Sequence, residues 1–340
     1  MEGGGRAVVE PPLLKVTDLV KHFPLEGGIL KRARAMVRAV DGVSLELGRG
    51  ESFGLVGESG CGKTTLGRLI LRLTPPTSGR ISLEGSDLLS LRGRELRKIR
   101  QKLQIIFQDP YSCLDPRMKV GAIISQPLKS FFNLSRAEIK RRSIDLLDKV
   151  GLREADLVKY PHEFSGGQRQ RIGIARALAG EPELIVADEP VSALDVSIQA
   201  QVINLMMDLK AEFDLSYLFI SHDLSVVTHV SDRIGVMYLG RIVELAPAGA
   251  FTERSRHPYT QALLTAVPQP DPHLVEPPSP LEGDVPNPID PPSGCSFHPR
   301  CPYAMDVCLT SRPGLREVEE AHLVACWLNQ GAGRPPGGKR

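Results

Sequence analysis

The sequence predicts an α/β fold built on a mostly parallel β-sheet with helices on both faces. The main observation is that short apolar runs of strand length alternate with amphipathic segments of helical length. Such alternation is typical of parallel strands joined by helical crossovers. The apolar runs are Ser52–Val56, Leu103–Phe107, Leu184–Ala187, Tyr217–Ile220 and Ile234–Tyr238. The clearest amphipathic segments that follow such runs are Thr64–Leu73 and Val196–Phe213.

One long stretch, from about Met118 to Leu178, interrupts this alternation. It contains no strand pattern, and its clearest amphipathic segment is Ser135–Val150. We therefore predict a helical subdomain, at about residues 118–180, inserted between two strands of the core sheet. After the last buried run, the pattern predicts a short strand at Arg241–Ala246 and a helix at His257–Val267.

Composition and charge limit the classes of protein to which this chain can belong. The 340 residues include 42 Lys+Arg and 40 Asp+Glu, a net charge of +2, so we expect no nucleic-acid partner held by a strong basic field. No stretch approaches eighteen uncharged apolar residues, which predicts no membrane span. The N-terminus, Met1–Pro12, lacks the apolar centre of a signal peptide, so we expect the chain to stay in the cytosol.

The C-terminal part differs chemically from the rest. Four of the six cysteines (Cys295, Cys301, Cys308 and Cys326) lie beyond residue 267, and thirteen of the 28 prolines lie between Pro268 and Pro313. Proline-rich sequence predicts little regular structure between Pro268 and about Cys295. We divide the chain into a main domain at 13–250, an extension at 251–330, and disordered tails at 1–12 and 331–340.

A phosphate-binding pattern follows the first apolar run. Residues 57–64, Gly-Glu-Ser-Gly-Cys-Gly-Lys-Thr, match a P-loop and lie between a predicted strand and a predicted helix. In a P-loop, backbone N–H groups and a helix N-terminus surround a phosphate. Lys63 supplies a charge for the β- and γ-phosphates, and Thr64 offers a hydroxyl to Mg²⁺. The predicted nucleotide site comprises Gly57, Glu58, Ser59, Gly60, Cys61, Gly62, Lys63, Thr64 and Thr65, with Cys61 as a packing residue.

A second acidic pattern completes this site. The apolar run Leu184–Ala187 ends in Asp188 and Glu189. Asp188 is placed to hold Mg²⁺ through water, and Glu189 to act on a nucleophilic water as general base. An apolar strand ending in acids is common by itself, but together with a P-loop it indicates a nucleotide hydrolase.

Further motifs resemble those of ABC-type ATPases over residues 13–250. Phe164–Arg171 contains Ser165, Gly166, Gly167 and Gln168 and resembles the signature motif of that family. Gln108 resembles the Q-loop glutamine, and Ser192–Asp195 resembles the D-loop, whose acidic residue is Asp195. His222 resembles the switch histidine, and Phe23 resembles the aromatic residue that stacks on adenine. Taken singly, Gln108, His222 and Phe23 are each more commonly structural.

The resemblance implies a fold and a mechanism. The fold is a P-loop NTPase of the ABC ATPase type, a RecA-like core plus helical subdomain, here with a small Cys-rich C-terminal extension. Two such domains pair head to tail, and each ATP lies between the P-loop of one and the signature motif of the other. The resemblance implies that Lys63, Gln108, Glu189 and His222 are catalytic, that Phe23 and Asp188 contact Mg–ATP, and that Ser165–Gln168 act on the partner's ATP.

Other segments resemble the oligopeptide/dipeptide importer ATPases. They are Phe107–Tyr111, Leu114–Arg117, Tyr160–Glu163 and Gly294–Pro302. Gly27–Arg38 and Gly67–Leu69 fit the second, F-type, of that family's two ATPase subunits. This resemblance implies a related second ATPase as partner (a homodimer being the alternative), two permease subunits, an extracytoplasmic peptide-binding protein, and a peripheral place on the cytoplasmic face of the membrane. The alternatives are import of another solute such as nickel, a soluble ABC ATPase, and ATP binding without turnover.

The four C-terminal cysteines are spaced Cys-x5-Cys-x6-Cys-x17-Cys. Disulfides are rare in cytosolic proteins, zinc sites use tighter Cys pairs, and an iron–sulfur cluster accepts varied spacing. Unligated cysteines also fit the spacing. Since importer ATPases of this type are known with a C-terminal iron–sulfur cluster, the resemblance favours [4Fe–4S] on Cys295, Cys301, Cys308 and Cys326, with Zn²⁺ as the alternative. A metal could also stabilise an extension that is too poor in apolar residues to fold alone.

Overall fold

A computed structural model of the protein describes residues 11–25, 35–109, 111, 113–266 and 283–330. The predicted disordered tail at 331–340 lies outside the described residues, and so does the tail predicted at 1–12 except for Pro11 and Pro12. So do most of the segment Gly27–Arg38 and most of the proline-rich stretch after Pro268. None of the helices in the described ranges has both the length and the hydropathy needed to cross a bilayer.

The described residues form two sheets, and the larger one has eight strands, which include the predicted apolar runs. The eight strands of this sheet are β3 (Ser52–Val56), β6 (Leu103–Ile106), β7 (Leu184–Asp188), β8 (Ser216–Ile220), β9 (Arg233–Tyr238), β10 (Arg241–Pro247), β11 (Arg316–Glu319) and β12 (His322–Val324). Their order is β11-β12-β10-β9-β3-β8-β7-β6, with β6, β7, β8, β3 and β9 parallel. All five predicted apolar runs are confirmed as strands, and the short strand predicted at Arg241–Ala246 is confirmed as β10. Strands β3, β7 and β8 are buried along their whole length, which explains their continuous apolar sequence.

A second, antiparallel sheet was not predicted. It consists of β1 (Leu14–Pro24), β2 (Met36–Leu47), β4 (Ser78–Leu83) and β5 (Ser86–Asp87), in the order β2-β1-β4-β5. Only one face of these strands is buried, so apolar residues alternate with polar ones and no continuous apolar run marks them. Leu45 of β2 and Ile81 of β4 share one core with Leu218 of the larger sheet.

The α-helices described outside the stretch between β6 and β7 are α1 (Lys63–Ile70), α2 (Gly93–Lys102), α6 (Val196–Phe213), α7 (Leu224–Val230), α8 (Ala248–Arg254), α9 (Pro258–Thr265) and α10 (Asp306–Thr310). Helix α6 has the predicted bounds. Helix α1 stops short of the predicted Leu73 because Arg72 adopts a left-handed backbone conformation (φ 52°). Helix α2 was not predicted. None of its residues is fully buried, and Leu96 and Ile99 are the two large apolar residues in a strongly charged segment.

The stretch between β6 and β7 is helical, as predicted. It contains α3 (Val120–Phe131), α4 (Arg136–Lys149) and α5 (Gly166–Leu178), and its described residues form no strand. Ser135 caps α4, since its hydroxyl accepts a hydrogen bond from the Glu138 N–H at 3.2 Å. Ile124, Leu147 and Ile174 place one residue from each helix in a common core.

The extension joins the larger sheet instead of standing apart. Strand β12 pairs with β10, and β11 pairs with β12, so the extension adds two edge strands. The Glu244 carboxylate of β10 is fully buried and lies 2.7 Å from Nε2 of His322 in β12. Phe297 is 1% exposed and packs in the core between Tyr238 and Tyr259. These contacts stabilise the extension through the main fold, whatever its cysteines bind.

Candidate active site

The P-loop is held by its own lysine. The buried ammonium of Lys63 donates hydrogen bonds to the carbonyl oxygens of Gly57 at 2.6 Å and Glu58 at 3.0 Å. Gly62 has a φ of 109°, and a Cβ there would lie 2.0 Å from the Ala39 carbonyl oxygen, so only glycine fits. No side chain caps the N-terminus of α1, which leaves its first N–H groups available to an anion.

Thr64 and Asp188 form the cation side of the site. The Thr64 hydroxyl donates to Oδ1 of Asp188 at 2.9 Å, which joins the first turn of α1 to the end of β7. Burial raises the pKa of Asp188, and the neighbouring charge of Glu189 adds to this effect. A hydroxyl and a carboxylate are hard oxygen ligands that suit Mg²⁺. Thr65, also predicted to contact nucleotide, lies half-buried in the same turn.

The Glu189 carboxylate contacts two of the other predicted catalytic residues. Gln108 Nε2 donates to Glu189 Oε2 at 2.7 Å, and His222 Nδ1 lies 3.3 Å from Glu189 Oε1. The three residues follow β6, β7 and β8, whose carboxyl ends meet at one edge of the sheet. Glu189 has a φ of 48°, a strained conformation for a non-glycine residue and one that often occurs at functional sites.

The loop that carries His222 is fixed although its imidazole is 57% exposed. The Ser221 hydroxyl accepts a hydrogen bond from the Asp223 N–H at 2.9 Å. Asp223 in turn caps α7, because its carboxylate accepts from the Ser225 N–H at 2.8 Å. The histidine therefore projects from a rigid turn.

The signature motif forms the start of α5. Ser165 and Gln168 make a reciprocal capping box, with distances of 3.3 Å from the Gln168 N–H to the Ser165 hydroxyl and 3.0 Å from the Ser165 N–H to Oε1 of Gln168. A Cβ on Gly167 would lie 2.4 Å from Ile198 of α6, so glycine permits close packing next to Asp195, the N-cap residue of α6. Ser165, Gln168 and Asp195 are exposed. Within the described part of the chain, no hydrogen bond or ion pair joins the four signature residues to the P-loop.

Side chains of α5 hold the segment that follows β6. Gln170, which is buried, donates from Nε2 to the Phe107 carbonyl oxygen at 3.4 Å, directly before Gln108. The Arg169 guanidinium lies 3.9 Å from the centre of the Tyr111 ring. The motif Phe164–Arg171 includes Arg169 and Gln170, but their residue types alone do not predict either contact.

The extension reaches the P-loop, a contact that was not predicted from the sequence. The Arg300 guanidinium donates two hydrogen bonds to the Glu58 carboxylate, at 2.8 and 3.0 Å. The Glu58 N–H donates to the Tyr259 hydroxyl at 2.9 Å. No local sequence signal could reveal these contacts, because their partners are 242 and 201 residues apart.

Phe23 lies at the end of β1, where it pairs with Val37. Its side chain is 37% exposed, and the Lys21 ammonium lies 4.9 Å from the ring centre. The ring thus has an open face, and its contact with adenine stays a prediction.

The four C-terminal cysteines line one small cavity, together with Phe297 and Trp327. Burial raises the pKa of Cys301 to about 11 and that of Cys326 to about 12, and the neighbouring thiols add to the effect. In the described ranges, no three His, Cys, Asp or Glu side chains stand in metal-binding geometry. The thiols therefore provide a donor set that suits a soft metal, without the distances of a formed site.

A strand, P-loop and helix, with two acids at the end of another parallel strand of the same sheet, define a P-loop ATPase. The sequence profile of the ABC transporter family matches residues 40–192, and that of the oligopeptide/dipeptide transporter C-terminal region matches residues 243–308. The chain is similar to the probable peptide ABC transporter ATP-binding protein y4tS of Sinorhizobium fredii, with 54% identity over 92% of this chain and 89% of the relative. It is 50% identical to the oligopeptide transport ATP-binding protein AppF of Bacillus subtilis, over 95% of this chain and 99% of the relative.

Solved structures agree with this assignment. The ATP-binding cassette MJ0796, in a dimeric post-hydrolysis state bound to ADP and Pi, matches with a TM-score of 0.61 and 28% identity over 69% of this chain and 98% of that one. The cassette cbiO1 of Clostridium perfringens matches with a TM-score of 0.61 and 26% identity over 72% of this chain and 92% of that one. The chain belongs to the family of ATP-binding subunits of oligopeptide and dipeptide ABC transporters. It is an ATPase whose hydrolysis of ATP is coupled to transport.

Proposed function

We propose that this subunit hydrolyses Mg–ATP to drive the import of dipeptides or oligopeptides. The observation that carries the proposal is the Glu189 carboxylate, held by Gln108 and His222 beside the Thr64–Asp188 pair. This arrangement provides a base, a cation site and a phosphate loop at one edge of the sheet. The peptide cargo is supported by relatives such as the oligopeptide transport ATP-binding protein AppF of Bacillus subtilis.

Each residue of the site has a proposed role. Lys63 leaves its two carbonyl partners and contacts the β- and γ-phosphates, while Thr64 and Asp188 hold the cation. Mg²⁺, when bound, offsets the negative charge of the phosphates. Glu189 accepts a proton from the attacking water, and Gln108 and His222 orient the carboxylate and the water. Phe23 stacks on the adenine ring.

A second set of residues serves the ATP of a partner subunit. We infer this role for Ser165, Gly166, Gly167, Gln168 and Asp195 because they are grouped around the N-termini of α5 and α6, with Ser165, Gln168 and Asp195 exposed. A helix N-terminus carries partial positive charge and suits a γ-phosphate. We propose a related second ATPase as the partner, with a homodimer as the alternative.

The complex we propose also contains two permease subunits and receives peptide from an extracytoplasmic binding protein. This subunit then lies at the cytoplasmic face of the membrane, held by protein contacts. Import of another solute, such as nickel, or action as a soluble ABC ATPase are the alternatives. Affinity purification from solubilised membranes tests the assembly. Co-purification of two permeases and a second ATPase supports it, and recovery of this chain without any membrane protein contradicts it.

ATPase measurements on the reconstituted complex test the cargo. We expect peptide-loaded binding protein to stimulate hydrolysis, and empty binding protein to do so less. A matched complex carrying Glu189→Gln should show no stimulation. Stimulation by nickel, with no response to peptide, would replace the peptide proposal by its alternative.

For the extension, we propose that Cys295, Cys301, Cys308 and Cys326 hold a [4Fe–4S] cluster, with Zn²⁺ as the alternative. The proposal is supported by their arrangement around one cavity, and it requires the thiols to ionise and move into ligand geometry. Anaerobic purification with a visible spectrum and metal analysis tests it. We expect a brown, iron-containing protein, and a colourless, zinc-loaded one would overturn the cluster.

A further inference from the structure

Glu58 is an acidic residue inside a loop that must receive a triphosphate. Its side chain is only 24% exposed, and its own carbonyl oxygen lies 3.0 Å from the Lys63 ammonium. Glu58 is the second residue of the P-loop, and its charge acts on Cys61 in the same loop. Its carboxylate therefore opposes bound ATP in a partly buried environment, where charges are weakly screened. The loop therefore contains a charge that opposes its ligand unless another group offsets it.

Arg300 is placed to offset that charge. Its side chain is 4% exposed, and both of its hydrogen bonds to Glu58 are short and parallel, at 2.8 and 3.0 Å. A buried bidentate arginine–carboxylate pair is a geometrically specific contact, unlike a flexible surface ion pair. The guanidinium belongs to the short 3₁₀ turn His298–Arg300 of the extension.

The turn that carries Arg300 is itself fixed by packing. Phe297 precedes it, and its ring centre lies 5.4 Å from those of both Tyr238 and Tyr259. Tyr259 then accepts the hydrogen bond from the Glu58 N–H. The backbone and the side chain of Glu58 are thus held by two residues that lie beyond residue 250.

We propose that Arg300 is a positioning residue of the ATP site: it neutralises Glu58 and holds the first turn of the P-loop, so that nucleotide affinity depends on the docked extension. The proposal rests on the proposed ATP site, and not on the cargo, the partner or the metal. It assigns to the extension a role in ATP binding by this subunit.

The test measures the affinity of the purified full-length chain for a fluorescent ATP analogue. Loss of the guanidinium in Arg300→Met leaves Glu58 uncompensated, and we expect Kd to rise about tenfold, the effect of one nearby, partly screened charge. Arg300→Lys keeps the charge but loses the bidentate contact with the carboxylate, so its Kd should rise less than that of Arg300→Met, by about threefold. Arg256→Met is the matched control, since Arg256 pairs with Glu319 in the extension and does not contact the P-loop.

A second substitution separates charge from packing. Adding Glu58→Gln to Arg300→Met removes the uncompensated carboxylate, so the double variant should recover most of the lost affinity. If Arg300→Met does not fold, Glu58→Gln by itself remains informative. It should bind the analogue at least as tightly as the wild type, because a repulsive charge has gone while Arg300 remains.

Three results would overturn the proposal. One is an unchanged Kd in Arg300→Met, another is a double variant as weak as the single one, and the third is weakened binding in Glu58→Gln at an unchanged melting temperature. Lys63→Ala should abolish binding in the same assay. If Lys63→Ala loses binding while Arg300→Met does not, this inference fails and the ATP-site assignment stands. If Lys63→Ala binds normally, both fail.

Discussion

Phe297 is expected to fasten the extension to the ATPase core. It is 1% exposed, and its ring packs edge-on against Tyr238, with ring planes at 89° and centres 5.4 Å apart. It also contacts Tyr259 and the fully buried His257. The change Phe297→Ala removes the whole ring from this cluster.

The magnitude follows from burial and contacts. Truncating a buried phenylalanine to alanine costs about 3–5 kcal/mol, because both transfer free energy and packing are lost. If each kcal/mol lowers the melting temperature by about 2 °C in a chain of this size, the expected decrease is roughly 6–10 °C. Phe297→Leu keeps most of the volume and should lose less than half as much.

The assay combines thermal unfolding with ATP binding. Leu147→Ala is the control, because Leu147 is equally buried but lies in the helical core between β6 and β7. Both alanine variants should melt earlier, while only Phe297→Ala should also weaken ATP binding, through Tyr259 and the Glu58 N–H. A melting temperature within about 2 °C of the wild type, or equal loss of ATP affinity in both variants, would refute the reasoning.

Three more predictions concern the catalytic edge of the sheet. Glu189→Gln should lower kcat by about 10²- to 10⁴-fold while ATP stays bound. Turnover and the amount of retained nucleotide measure these two effects, and a wild-type rate of hydrolysis would contradict the assignment of Glu189 as the base. The pKa of Asp188 is raised above its usual 3.8, so its contribution to stability is present at acid pH and lost as pH rises through the folded-state pKa. Asp188→Asn should therefore raise the melting temperature of the nucleotide-free protein at pH 7 but not below about pH 4. The same variant should lose Mg-dependent ATPase activity. A lower melting temperature at pH 7 would show that burial is not the dominant effect. Gln170→Leu removes the hydrogen bond to the Phe107 carbonyl and should lower kcat several-fold, with the Kd for ATP unchanged. A changed Kd with a normal kcat would argue against a role of this bond in positioning Gln108.

The sequence by itself determined the parallel strands and the phosphate loop. Strands β3, β7 and β8 are buried on both faces, so each must be an uninterrupted apolar run, and such runs are visible locally. The P-loop is equally local, because glycine conformations and one lysine within eight residues define it. Gln108, Glu189 and His222 could be predicted as neighbours because each follows a parallel strand of one sheet.

Only the tertiary structure decided how the extension meets the active site. The pairing of β12 with β10, the buried Glu244–His322 pair and the Arg300–Glu58 contact each join residues far apart in the chain. Local composition marked the extension as poor in apolar residues but could not show which surface it covers. The partners of charged residues and of edge strands depend on contacts between residues far apart in the sequence. Those contacts form only once the core sheet has brought the segments together.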